Sequence, residues 1–325
     1  MRSAVPVKRR GALFPLGAAL AFYVSPAFSD SFPVRDQNPL LAGFGLPAAL
    51  PVEMPRPNSW AFEAGFAWGN SAILQANTRE TLIVDAETRE LRIVVARGFG
   101  DGYAIRIEAP YRQTTGGSLD SFIDKWHDTF GLSEGARPHL PRNAVRIEYE
   151  RDGQRRLDER TAHSGIGDIS LLLGKRFAAS PFAAWISATL PTGDANAFTG
   201  SGSVDISAAL AFERSFGGRY GVHAQLAGTW LGKADRLRER QQDIVWSGAL
   251  GVHARAFANL TLTAQLDAHS AVYDSSLEFL GEAVTLTVGG SYRLSERWKL
   301  SIGVTEDIRV DSTSDVVFVV QIIGR

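Results

Sequence analysis

From residue 59 to the end of the chain, apolar residues recur at every second position. In 59–69, Trp60, Phe62, Ala64, Phe66 and Trp68 share one face. In 102–112, Tyr103, Ile105, Ile107, Ala109 and Tyr111 share one face, and Arg106 and Glu108 lie on the other. In 219–230, Tyr220, Val222, Ala224, Leu226 and Trp230 oppose His223, Gln225 and Thr229. A period of two marks strands with one apolar and one polar face. Reading the runs this way predicts an all-β chain of twelve antiparallel strands. They fall near 59–69, 80–97, 102–112, 165–177, 182–190, 203–215, 219–230, 243–256, 259–270, 282–294, 297–309 and 315–324, with ten or fourteen as the alternative counts. The last run is apolar on both faces.

The period changes once, in SLDSFIDKWHDTFGL (118–132). There Phe122, Trp126 and Phe130 are spaced by four with Ile123 beside them, which predicts one short amphipathic helix. It falls in the longest connection, 113–164. Asp152-Gly153 within that connection is a two-residue hairpin signal. Short connections (98–102, 178–181, 216–219, 257–260, 295–297) alternate with longer ones (70–79, 113–164, 191–202, 231–242, 271–281, 310–314).

A soluble sandwich and a membrane barrel both alternate in this way. The aromatic residues separate them. Trp60 and Trp68 stand eight apart on one face, as do Tyr103 and Tyr111. Eight residues span roughly 27 Å, and strand tilt shortens this to a little over about 20 Å. A membrane barrel carries an apolar band about 25 Å tall between two aromatic girdles. Trp60, Trp68, Tyr103, Tyr111, Tyr220 and Trp230 are therefore the expected girdle, and the polar face is the expected lumen.

Residues 1–29 read as a secretory signal. Arg2, Lys8, Arg9 and Arg10 precede the apolar run GALFPLGAALAFYV, and Ala27-Phe28-Ser29 supplies small residues before Asp30. Residues 30–58 form a Pro-rich segment, unsuited to a central strand, expected to be periplasmic or a partial plug. The barrel is 59–325. The 325 residues are 45% hydrophobic and 21% charged, an ordinary folded composition. Without 1–29, 30 basic residues face 35 acidic ones, and the resulting net charge of −5 gives no footing for nucleic acid. There are no cysteines, which excludes disulfides, zinc–thiolate sites and cysteine nucleophiles. The expected location is the outer membrane of a Gram-negative bacterium. The expected partners are the lipid bilayer, the periplasmic chaperones and insertion machinery such barrels need, and a small solute of unknown identity.

QNPLLAGFGLP, DSFIDKWHDTFGL, GIGDISLLLGKRF and LPTGDANAFTGSGSVD occur in this order. In these segments the chain resembles an uncharacterised outer-membrane family, domain of unknown function 3187. The resemblance implies an outer-membrane barrel. It carries no established activity and hence no catalytic residue. The chain ends Ile323-Gly324-Arg325, without the terminal aromatic residue of many such barrels.

Candidate chemistry lies on the polar face: Arg106, Glu108, Asp168, Asp205, His223, Gln225, His253 and Asp267. Counting along adjacent strands sets His223 and His253 roughly opposite each other. Two histidines near a carboxylate are a candidate metal or proton site, against a filled polar network as the simpler reading. Asp194 and Asn196 lack the acidic spacing of a calcium loop. No metal, cofactor or catalytic group is therefore expected. The leading expectation is a passive channel gated by 113–164, with Phe122, Ile123, Trp126, His127 and Phe130 at the constriction. The alternatives are a closed barrel with a structural or binding role and, behind it, a lipid hydrolase.

Overall fold

Branched and aromatic residues at every second position favour paired strands, and a barrel leaves no strand edge unpaired. The structure, a computed structural model, describes residues 30–119, 121, 125, 128, 129, 131, 136–309 and 311–325. It contains β1 (Trp60–Ala76), β2 (Glu80–Gly98), β3 (Tyr103–Thr115), β4 (Arg146–Arg151), β5 (Gln154–Glu159), β6 (His163–Ile166), β7 (Ile169–Arg176) and β8 (Phe182–Leu190). Then follow β9 (Asp205–Phe216), β10 (Tyr220–Trp230), β11 (Ile244–Arg255), β12 (Leu260–His269), β13 (Ala283–Arg293), β14 (Trp298–Asp307) and β15 (Val316–Gly324). β1–β3 and β7–β15 form a closed antiparallel barrel of twelve strands. It shuts where β15 pairs with β1, from Phe62↔Gly324 to Asn70↔Val316.

The outward face is apolar and uncovered: Ile107, Ile186, Leu210, Leu226, Leu250, Val288 and Ile302 are all exposed. A water-facing surface of this kind would aggregate, whereas a lipid-facing one is at rest. Among the described residues no helix is long and apolar enough to cross a membrane. The strands do the crossing.

The inward face is polar, and residues 30–54 run through it as a re-entrant hairpin. At one end, the periplasmic one by the short turns, Asp30 lies 3.5 Å from Lys299 at the start of β14. The chain passes Gln265 of β12 at Phe32 and Glu108 of β3 at Arg35. It turns at Asn38–Phe44, where the Asn38 amide donates to Phe279 O at 2.8 Å and the Tyr273 hydroxyl to Leu40 O at 3.0 Å, both in the 270–282 connection. It returns past Asp205, Gln225 and Trp185 to Arg176, which pairs with Glu53 at 2.9 Å. Four prolines in 30–54 (Pro33, Pro39, Pro47 and Pro51) suit this path, since each removes a backbone donor that the lumen would otherwise have to satisfy. Phe32, 0% exposed, packs with Val34, Val317 and Val319. That contact explains why β15 is apolar on both faces. Full burial of such a ring contributes about 2 kcal/mol. A side chain at Gly289 or Gly303 of the wall would meet the ring at 2.7 or 3.0 Å, so these glycines make its seat.

The outer mouth is closed by a hydrophobic cluster. Leu40, Leu41 and Phe44 of the hairpin apex join Ile73, Leu82, Ile147, Tyr149, Leu231, Tyr273 and Phe279. Here the structure differs from the sequence reading. The 70–79 connection is not a loop: β1 and β2 stay paired to Ala76↔Thr81, and only 77–79 turn. β4 extends this sheet by pairing with Glu80–Asp85 of β2, and β5 pairs with β4. Apolar residues packed against the mouth cluster keep the extension folded beyond the barrel. The burial and the Glu80 carboxylate beside it push the Tyr149 phenol up to about 12. The run 165–177 is split into β6 and β7, because Gly167 and Asp168 form a bulge opposite Pro110.

Residues 116–119 turn onto the outside of the wall. Leu119 packs with Val316, Trp68, Val304 and Phe318, and the Ser118 and Leu119 amides donate to the Glu87 carboxylate. Ser121, Lys125, Asp128 and Thr129 are helical, and the Thr129 hydroxyl donates to Lys125 O at 2.7 Å. Phe122, Ile123, Trp126, His127 and Phe130 lie outside the described residues, as do residues 1–29, where the sequence predicts a signal.

Gly117 sits at φ +66, and a Cβ there would fall 1.7 Å from Glu87 Cδ. Gly117→Ala therefore costs about 1–2 kcal/mol in backbone strain alone and displaces the 116–119 strap. Limited proteolysis of the folded barrel should cut within 113–145 faster in the variant, while the twelve strands stay protected.

Candidate functional site

The lumen wall and the hairpin form one polar interface. On the β1–β3 side it is ionic. Arg106 is bound to Glu63 through two contacts of 2.6 and 3.0 Å, and its Nε donates to Glu108 at 2.7 Å. The other Glu108 oxygen takes Arg35 of the hairpin at 2.6 Å. Arg92 donates to Pro33 O at 2.6 Å. Arg112 donates to Glu90 at 2.9 Å and to Thr199 O at 2.7 Å. Alternation along β2 and β3 sends these charges inward on neighbouring strands, where each finds its opposite.

On the β8–β12 side the wall offers amide and carboxyl groups to the hairpin backbone. Gln265 accepts Phe32 N and donates to Phe32 O, both at 2.8 Å. Gln225 accepts Leu50 N at 2.8 Å and donates to Ala48 O at 2.9 Å. Asp205, the first residue of β9, accepts Gly45 N at 2.7 Å and Gly232 N at 3.0 Å. Asp168 does not face the hairpin. It accepts Gly193 N and Ser201 N, both at 2.8 Å, and so ties the 191–204 connection over the mouth.

His223 and His253 come together as a stacked pair, with ring centroids 6.2 Å apart and planes 14° apart. They are diagonal rather than opposite: the register sets His223 against Gly251 and His253 against Gly221. A Cβ on either glycine would lie 2.2 Å from the ring that covers it, so each histidine needs the glycine it faces. His223 Nε2 contacts Gln265 Oε1 at 2.8 Å. Among the described residues no group of three His, Asp or Glu side chains is placed to hold a metal. Asp194 accepts Asn196 N at 2.8 Å, the pattern of a turn. The polar contacts of His163 are Glu159 and Thr161, and those of His269 are Asp36 and the Ser270 carbonyl, so neither meets a serine hydroxyl.

A cavity of about 70 Å³ remains between the hairpin and β11–β14. Asp267 lines it with Arg35, Asp36, Gln37, Ser247 and His269. On the outside, Trp60, Tyr103, Tyr111, Tyr220 and Trp230 are exposed. Trp68 is half-covered: Arg89 stacks over its ring at 4.7 Å and its Nε1 donates to Glu87 at 2.7 Å, beneath the 116–119 strap.

Reasoning from the sequence found the wall and gave 30–58 as periplasmic or a partial plug, but named none of the residues by which it fills the lumen. Arg35, Asp36, Gln37 and Asn38 of the hairpin were missed. One signal did exist: inward positions such as Gly251, Ala249 and Ser247 are too small to fill twelve strands' worth of lumen, which left room for a segment of chain.

Among solved structures, the COG4313 outer membrane channel from Pseudomonas putida F1 is similar at a TM-score of 0.56, with 13% identity over 85% of this chain and 96% of that one. At that identity the likeness shows the fold, an outer-membrane β-barrel. The NanC porin (TM-score 0.46, 9% identity, 82% of this chain and 100% of that one) and the Ralstonia pickettii toluene transporter TbuX (0.41, 10%, 93% and 96%) are more distant. No curated protein sequence matches. The family described as "Protein of unknown function (DUF3187)" matches residues 18–323, nearly the whole chain, and the chain belongs to it.

Proposed function

We propose that this barrel is an outer-membrane channel for small molecules, with residues 30–54 as its plug. One observation carries the reading. The wall supplies polar side chains and small residues, and the space between is taken by a segment next to the predicted mature N-terminus, not by the wall's own bulk. A barrel built only as a support would fill its interior with wall side chains. Once residues 1–29 are removed, as the sequence predicts, the obstruction is joined to the barrel at one end alone, on the side of the short turns, and can withdraw by that side.

The gate is thus assigned to 30–54 instead of to the 118–132 helix. Residues 116–119 lead away from the lumen, and the hairpin stands in it. Once the hairpin withdraws, solutes meet Arg106, Glu108, Asp205, His223, Gln225, His253 and Asp267. Charges of both signs face each other across that path, which suits polar solutes without strong net charge. The exposed Trp and Tyr residues would set the barrel's depth at the two interfaces. The other reading is a permanently closed barrel with a structural or binding role.

Deleting 31–54 from the mature chain should convert a nearly silent protein in planar bilayers into one with steady conductance. If the deleted barrel folds and stays silent, the outer cluster seals the lumen by itself and the channel reading fails.

The cysteine-free chain also allows a lock. Gln37 Cβ lies 3.1 Å from where a Gly69 Cβ would stand, and small movements bring the pair to disulfide spacing, about 3.8 Å. In Gln37→Cys/Gly69→Cys, oxidation should abolish any openings the intact chain shows, and reduction should restore them. Openings that persist in the oxidised form would place the path elsewhere.

A further inference from the structure

We infer that the cavity between the hairpin and β11–β14 is a binding site for a small organic ammonium ion. Three features meet there. The first is a carboxylate without a counter-charge. Asp267 receives only the Gln265 side-chain amide, at 2.9 and 3.0 Å, and among the described residues no cation pairs with it. The other charged groups lining the cavity are already matched. Arg35 is held by Glu108 at 2.6 Å, and Asp36 takes His269 Nε2 at 3.0 Å and the Thr313 hydroxyl.

The second feature is a set of orphaned polar atoms on the same walls. Gln37 is 2% exposed, yet its Oε1 has no hydrogen-bond partner. Ser247 Oγ and Arg35 Nε are likewise buried without partners. Buried polar atoms are nearly always paired, so several in one cavity mean that something polar fills it. Gln37 Oε1 and the Asp267 carboxylate accept, as an ammonium ion requires, and Ser247 Oγ can accept as well.

The third feature is the apolar remainder. Val34, Leu41, Phe44, Leu46, Ala268 and Val317 line the cavity too. Asp267 pairs in register with Ala249 on one side and Thr285 on the other, and these small neighbours leave the space beside it. About 70 Å³ holds about five to seven waters at 10–15 Å³ each, or a ligand of about as many heavy atoms. A charged head at Asp267 with a short hydrocarbon tail against the hairpin fits all three features.

Binding needs only the closed barrel, so it stands or falls apart from conduction. The test is calorimetry on the refolded mature chain in detergent with n-butylammonium chloride, and with n-butanol as the neutral match. Butylammonium should bind saturably and at least tenfold more tightly than butanol. Asp267→Asn should erase that preference. Ala249→Leu, which fills the space and leaves the charge, should abolish binding in a barrel that still unfolds at the parent temperature. Equal binding of the two probes, unchanged binding in Asp267→Asn, or no binding of butylammonium would each overturn the proposal.

Discussion

Irregular backbone cannot be left unpaired inside a membrane barrel. Strands satisfy each other, but a hairpin threaded through the lumen has no ladder to join. This requirement organises the interior. Gln265 and Gln225 each bind the hairpin with both ends of one amide, accepting from a backbone N–H and donating to a carbonyl. They act as substitute peptide groups. Asp205 and Ser207 do the same at Gly45, Arg92 at Pro33, and Trp185 at Pro51. The prolines of 30–54 lower the demand from the other side. Polar residues that resemble the lining of a wet pore are thus largely committed to protein backbone.

Different physics holds the two ends of the hairpin. At the outer end Leu40, Leu41 and Phe44 are clamped in an apolar cluster with strand extensions and connections. Deeper in and toward the periplasm, charges take over: Arg35 with Glu108, Asp30 near Lys299 and His253, Glu53 with Arg176. The Asp30 and Glu53 contacts are partly exposed, so salt or a charged partner can compete with them, whereas Arg35–Glu108 is buried. The apolar apex has no such weakness. It releases only if the extension and connections above it also move.

The strands and their faces were legible because lipid enforces alternation on every crossing segment. A charge turned outward is costly at membrane depth. Hence all twelve strands fall within a few residues of their expected places except where something else intrudes. β1 overran its expected end at 69 and ran on to Ala76, because the outer extension it shares with β2 is buried against other protein and its burial does not follow the lipid rule. Asp168 interrupted its strand because a bulge was needed to aim it at the 191–204 connection. The site was less legible for a plain reason. The partners of Gln225, Gln265 and Asp205 are backbone atoms of Leu50, Phe32 and Gly45, and a backbone atom leaves no mark in the sequence. The His223–His253 pair was visible through strand counting, but its diagonal stack depends on Gly221 and Gly251, whose role shows only in three dimensions.

A terminal plug has a consequence that an internal one lacks. With residues 1–29 removed, as the sequence predicts, the hairpin is tied covalently only at Pro55–Pro57, beside the turn after β2, where Pro57 bridges Gly98. Withdrawal therefore breaks no strand pairing and leaves the twelve-stranded ladder intact. Ordering about 25 residues in the lumen costs roughly 1–2 kcal/mol each in conformational entropy. The hydrogen bonds and buried rings repay that cost on the same scale, so the docked state is held by a difference between large opposing quantities. Any ligand that binds only the docked hairpin shifts that difference in its favour. A cation at Asp267 would do this, since Arg35, Asp36 and Gln37 complete its cavity only when the hairpin is in place. Occupancy of the cavity and closure of the lumen are then two readings of one equilibrium.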